Sequence, residues 1–165
     1  LIIRKLISVQ KWEMNDAVEL QPIQITPPDS YVKDTGTAKG RGVFAGRAFG
    51  AGEVVEVAPV LLFAMKDFVG VPKPIKHVIF NWNWLVGQKD DRQAIALGYG
   101  SLYNHANPAN LRYEADADLP AMRFIAVRDI AEGEELTINY NAHGGGHEWP
   151  DNNWFERMKV RLVVD

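Results

Sequence analysis

Tyr99-Gly100-Ser101-Leu102-Tyr103-Asn104-His105 and Gly133-Glu134-Glu135-Leu136-Thr137-Ile138-Asn139-Tyr140 are the stretches on which the fold turns. The first reads as a strand and a turn that ends in an amide beside an imidazole. An Asn side chain both donates and accepts, which suits a purine edge or an ammonium–carboxylate group. A capped turn with a hydrogen-bonded His explains the same pair. The second stretch is a Glu-Gly turn entering an alternating strand, ELTINY. A Tyr that ends a strand is ordinarily core or rim, and catalysis is its rarer use.

Between these stretches, NPAN (107–110) is a turn by composition. LRYEADADLPAMRFIAVRDI (111–130) reads as two strands around a polar loop at 115–120. Upstream, GRGVFAGRAFGAGEVVEVAPVLLF (40–63) has short apolar runs punctuated by glycines, with VVEVAPVLLF (54–63) the clearest strand and Pro59 marking an edge or a bulge. Its start, Gly40-Arg41-Gly42, permits a tight turn and a close backbone approach to a ligand. It lacks the third glycine of a dinucleotide fingerprint and the Lys-Ser/Thr of a P-loop, and a plain β-turn also explains it. Residues 64–97 change character: the pattern predicts a helix around Ile75–Val86 and a second near Arg92–Leu97, with Asp90 and Asp91 as caps. Trp82 and Trp84 point differently in a helix, one to the core and the other to a groove.

Residues 1–19 fit a strand or a short amphipathic element, and the prolines of PIQITPPDS (22–30) argue for an extended connection. The expected organisation is an N-terminal extension (1–30), a main domain (31–141) with a helical insert (64–97), and an aromatic, partly helical tail (142–165). Many short strands with one helical patch exclude a βαβ fold and a helix bundle; the expected class is mainly β.

Composition narrows the chemistry. The 165 residues contain no cysteine, which removes disulfide scaffolds, thiolate metal sites and cysteine nucleophiles. The net charge of -3 is not the footprint of a nucleic-acid binder. It suits a basic partner. No apolar run is long enough to span a membrane, and no secretory signal stands out. The chain starts with Leu, as a trimmed or processed sequence would. His143 and His147 flank a glycine run, which is a poor helical metal face, so no metal is expected. GxSxG and HExxH are absent.

Taken in order, GRGVFA, YNHxxxxN and GEELTINY resemble the SET domain of protein-lysine methyltransferases over residues 31–141. The likeness is greatest to compact members without cysteine-rich flanks. It implies small curled β-sheets with a pseudoknot-like core, in which the strand after GEEL tucks under the Asn-His segment. It implies S-adenosylmethionine on one face and a target lysine entering a narrow channel from the other. Gly40, Arg41 and Gly42 would approach the cofactor through backbone, and Asn104 and His105 would hold its amino-acid and adenine parts. Tyr140 matches the catalytic tyrosine. Tyr113 matches a channel position associated with the number of methyls added, and Tyr99 is a further channel position. Trp149, Trp154 and Phe155 stand where the missing flank would close the pocket, or simply pack a C-terminal helix. Three loop positions depart from the family: Ala106 for Ser, Ala109 for Pro with Pro108 shifted, and Asn139 for Asp.

The implied partner is a protein or peptide bearing a target lysine, a histone or another basic protein, added as a strand to a sheet edge near residues 64–97. Neither nucleic acid nor membrane is expected as a partner. The location implied is the cytoplasm of a bacterium, or otherwise a nucleus and its chromatin. The compact form suggests a bacterial or viral type. A SET-like module that binds without catalysis, and an unrelated β-clip binder, are the competing readings.

Overall fold

The computed structural model describes residues 24–87, 91–116, 118–142, 144–146, 148 and 153–161. The element read at 1–19, Asp90, His143, His147 and Trp149 lie outside the described residues. Among the described residues nine strands form the framework: β1 (Ser30–Asp34), β2 (Arg41–Ala45), β3 (Val54–Ala64), β4 (Ile79–Asn81), β5 (Arg92–Ala96), β6 (Asn104–His105), β7 (Leu111–Ala115), β8 (Ala121–Ala126) and β9 (Glu135–Ile138). Three short helices accompany them: α1 (Lys73–Lys76), α2 (Trp82–Val86) and α3 (Asn153–Met158). The strands run in the order β1-β2-β9-β7-β8-β3-β5-β4, with β6 paired to β9. None of the described helices is long and apolar enough to cross a membrane.

The expected strand at 54–63 is present, and the two expected within 111–130 form an antiparallel hairpin of β7 and β8 around the polar loop. Pro59 has a different place from the one expected. It pairs with Ala121 at the end of the β3–β8 ladder, and Val60 then begins the β3–β5 ladder opposite Ala96. A proline without an N–H fits where one strand changes partners. The bulge lies upstream, between Val54 and Glu56.

The helical insert is corrected by the structure. The single helix expected at Ile75–Val86 is broken into α1, β4 and α2. Asn81 interrupts it: its side chain accepts from the Trp84 N–H at 3.4 Å and caps α2 instead of continuing a helix. The second expected helix, near Arg92–Leu97, is strand β5. Two alanines favour a helix locally, but here β3 and β4 pair with both edges of the segment. That tertiary pairing outweighs the intrinsic preference. Trp82 is buried at 4% exposure, whereas Trp84 is 64% exposed.

The core is centred on aromatic rings. Tyr103 and Phe124 lie 4.9 Å apart, with Tyr113 and Phe80 at 6.0 and 6.3 Å from Phe124. β9 threads this region. It pairs antiparallel with β2 and parallel with β6 and β7, through Asn104↔Thr137, His105↔Ile138 and Leu111↔Ile138, so that Ile138 has β6 on one edge and β7 on the other. Parallel neighbours require the chain to leave and return, here by way of the β7–β8 hairpin. Beyond β9 the chain crosses back over β7, where Gly145 bridges Arg112 and the Gly144 carbonyl accepts the Tyr113 N–H. The strand after Gly133-Glu134 therefore lies against the Asn104-His105 segment.

Candidate active site

Asn104 on β6 ties two motifs together. Its Nδ2 donates to the Arg41 carbonyl at 2.9 Å and to Glu135 Oε1 at 2.8 Å. Both hydrogens of the amide are thus used, while Oδ1 makes no hydrogen bond among the described residues. Gly42 is a glycine because of this carboxylate: a Cβ there would collide with Glu135 Oε1 and lie 2.9 Å from the Thr35 methyl. Gly40 is open by contrast, with φ of 75° and nothing within 4 Å of where a Cβ would stand.

His105 and Tyr140 are joined through the backbone. The Tyr140 N–H donates to His105 Nδ1 at 3.1 Å. A backbone amide only donates, so Nδ1 is unprotonated and the neutral ring carries its hydrogen on Nε2. Burial, and then the positive charge of Lys39, hold the imidazole down to about 4 from 6.5. The sign follows from linkage: the unfolded chain takes up a proton here that the folded chain refuses. Stability from this group is complete above pH 6.5 and is lost as the pH falls toward 4. With solvent screening at a half-buried ring the loss is on the order of 1–2 kcal/mol. His105→Asn keeps an acceptor that does not titrate. The wild-type stability in urea is expected to fall relative to this variant between pH 6.5 and 4, and a constant difference would refute it.

The Tyr140 hydroxyl donates to the Tyr103 carbonyl at 2.7 Å. Burial, with the nearby Glu135 charge, pushes the phenol up to about 12, so it is neutral at physiological pH. α3 covers the ring: Trp154 lies edge-on at 4.8 Å and Phe155 is stacked at 6.0 Å. Phe155 also meets His105 at 4.8 Å, and the Trp154 N–H donates to Asn141 Oδ1 at 2.9 Å.

A cavity of about 450 Å³ opens beside Tyr140. Tyr103, Tyr113, Phe80, Trp84 and Trp154 are among its aromatic lining. Burial pushes the Tyr113 hydroxyl up to about 12, and it donates to the Ala142 carbonyl at 3.4 Å. Gly40, Arg41, Gly42, Asn104 and His105 are not among the described residues lining this cavity, whereas Tyr140 lines it and its N–H meets His105, the neighbour of Asn104. Tyr99 does not line the cavity either. Its backbone N–H instead donates to Glu56 at 2.8 Å.

Glu56 had not been singled out from the sequence, and Asn110 and Asn139 had been noted only as motif positions. Glu56 is buried, and its Oε2 accepts from the Tyr103 hydroxyl at 2.6 Å. It thereby anchors the segment whose carbonyl receives Tyr140. Asn110, the last residue of YNHxxxxN, is buried and pins its loop to β9: its Oδ1 accepts the Thr137 N–H at 2.8 Å and its Nδ2 donates to the Glu135 carbonyl at 2.8 Å. Asn139, fully buried, donates to Asn107 Oδ1 at 3.0 Å and accepts from the Asn141 N–H at 3.0 Å. An ionised Asp accepts only. The departure at 139 is thus matched by its surroundings.

The comparisons agree with this geometry. The SET domain family model matches residues 40–141. A curated relative, the histone-lysine N-methyltransferase specific for H3 lysine-37 of Schizosaccharomyces pombe, is 31% identical over 114 residues, or 68% of this chain and 73% of the relative. Among solved structures, a candidate histone methyltransferase of Plasmodium falciparum superposes with a TM-score of 0.56 at 22% identity, covering 76% of this chain and 98% of that one. A SET8 protein of Cryptosporidium gives 0.54 at 20% identity, covering 72% and 60%. On the match of its three motifs and on these likenesses, the chain belongs to the SET-domain family of protein-lysine methyltransferases.

Proposed function

We propose that this protein transfers a methyl group from S-adenosylmethionine to a lysine side chain of a protein substrate. The observation that carries the reading is the Tyr140 hydroxyl, fixed on the Tyr103 carbonyl in a residue that lines the aromatic cavity and whose N–H meets His105, next to Asn104. The Gly42–Asn104 side suits the cofactor. Asn104 Oδ1 is an acceptor suited to an ammonium, and the open space at Gly40 admits a ligand close to the backbone. His105, Trp154 and Phe155 would supply flat apolar surface beside it. The cofactor, when bound, supplies a methyl on a sulfonium.

The lysine must arrive as a neutral amine. At pH 7 deprotonation costs about 4–5 kcal/mol from a pKa near 10.4. A cavity lined by rings lowers that cost by disfavouring the ammonium. The proton leaves to solvent, since a phenol held near 12 is no base at this pH. With the cofactor bound, the amine nitrogen would bond to the methyl carbon as the carbon–sulfur bond broke onto sulfur. Tyr140 orients the amine. Its hydrogen is committed to Tyr103, which leaves the oxygen lone pairs to accept an amine N–H. Alignment of this kind supplies about 7–11 kcal/mol when the reactants are held in line.

A histone is one substrate consistent with the curated relative's specificity, and it would place the enzyme at chromatin. Incubation with labelled S-adenosylmethionine and mixed histones and proteomes, read by mass spectrometry, should reveal methylated lysines. Their complete absence would overturn the reading. Asn104→Ala is expected to weaken cofactor binding by about tenfold or more, because it removes Oδ1 and frees the Arg41 loop from Glu135. Unchanged calorimetric affinity would sink that assignment.

A further inference from the structure

The charge of the cavity does not follow that of the chain. The sequence has 21 Asp and Glu against 18 Lys and Arg. Among the described residues lining the cavity there is no Asp or Glu, while Lys76 and Arg157 are both present. Lys76 ends α1 in the insert, and Arg157 sits on the exposed side of α3. The Lys76 ammonium donates to the Val69 carbonyl at 3.3 Å and lies 4.8 Å over the Phe68 ring. Both anchors are neutral, so they hold the cation in place without cancelling its charge. The ion pairs among the described residues involve other arginines, at positions 47, 112, 123 and 128. His77, in the same lining, has a buried Nε2 without a hydrogen-bond partner.

We infer that the segment carrying the target lysine presents an acidic side chain, Asp or Glu, near that lysine, and that Lys76 and Arg157 receive its carboxylate. The inference rests on the lysine-methyltransferase reading and specifies its substrate class. A run of lysines and arginines would bring like charge against two cations that make no ion pair among the described residues, which selects against such partners. A carboxylate gains from both cations. The mild acidity of the whole chain, expected to favour basic sequences, lies away from the described lining of this cavity.

The test uses the full chain and synthetic peptides that contain one lysine in an alanine-based sequence. Asp or Glu, Ala, or Lys or Arg is placed at each flanking position in turn. At low ionic strength at least one acidic-flanked peptide is expected to have kcat/KM about tenfold above its alanine counterpart. The advantage should shrink with salt as the screening length falls below about 8–10 Å. Lys76→Glu and Arg157→Glu should reverse the preference toward Lys- and Arg-flanked peptides. Equal turnover across the set, or a wild-type preference for basic flanks, overturns the proposal. Binding of the same fluorescent peptides with S-adenosylhomocysteine present separates the two levels of argument. Tighter, charge-reversible binding of acidic peptides without any methylation keeps the docking proposal and removes the methyl-transfer reading. Methylation without any flank preference in binding or turnover does the opposite.

Discussion

Tyr140→Phe is expected to lower kcat by about 100-fold or more while leaving the affinity for S-adenosylmethionine within about twofold. The change removes only the oxygen that is hydrogen-bonded to the Tyr103 carbonyl. The ring remains, and with it the packing against His105 at 5.3 Å, Trp154 at 4.8 Å and Phe155 at 6.0 Å. The backbone N–H that meets His105 is also untouched. The fold and the cofactor side should therefore survive, and the loss should appear in the chemical step. Single-turnover rates with calorimetry of cofactor binding make the comparison. Near wild-type turnover would take Tyr140 out of the reaction.

The second large effect is expected at Gly145. Its φ of 65° lies in the left-handed region, where a side chain costs about 1–2 kcal/mol. A Cβ there would also stand 2.8 and 2.9 Å from Cδ1 and Cε1 of Tyr113. The ring has little room to retreat, because Phe80 and Phe124 pack on it at 5.2 and 6.0 Å. Gly145→Ala should lose about 2–5 kcal/mol of stability, combining backbone strain with overpacking. Gly36→Ala is the control, since Gly36 has φ of 75° but open space around it. It should show the strain alone. Urea denaturation of both variants measures the difference, and equal losses would disprove the pressure on Tyr113. In the folded fraction of Gly145→Ala, displacement of Tyr113 should change the ratio of mono-, di- and trimethylated product.

The site was legible where one residue type carries the chemistry. Asn104, His105 and Tyr140 are marked by the order of their motifs and the family resemblance that this order carries, and the structure brings them together on β6 and just beyond β9. The insert was not legible for the opposite reason. Arg92-Gln93-Ala94-Ile95-Ala96 has the local preferences of a helix, and only pairing with β3 and β4 makes it a strand. Glu56 and Tyr103 are far apart along the chain, so nothing local marks them as partners. For Tyr99 a position before a motif does not say which way the side chain turns, and it is not among the described residues lining the cavity. Net charge, likewise, is a sum and has no position, so it gave no warning of a cavity lining without carboxylates.

Because β9 is hydrogen-bonded to β2, β6 and β7 at once, a chain growing on the ribosome holds no partial site. Until Glu135 emerges Asn104 lacks one of its two acceptors, and until Tyr140 emerges His105 lacks its amide donor. Contacts so distant along the chain form late and together. The activity therefore waits until Tyr140 has emerged, and a shorter nascent chain remains inert toward lysines on the ribosome that makes it.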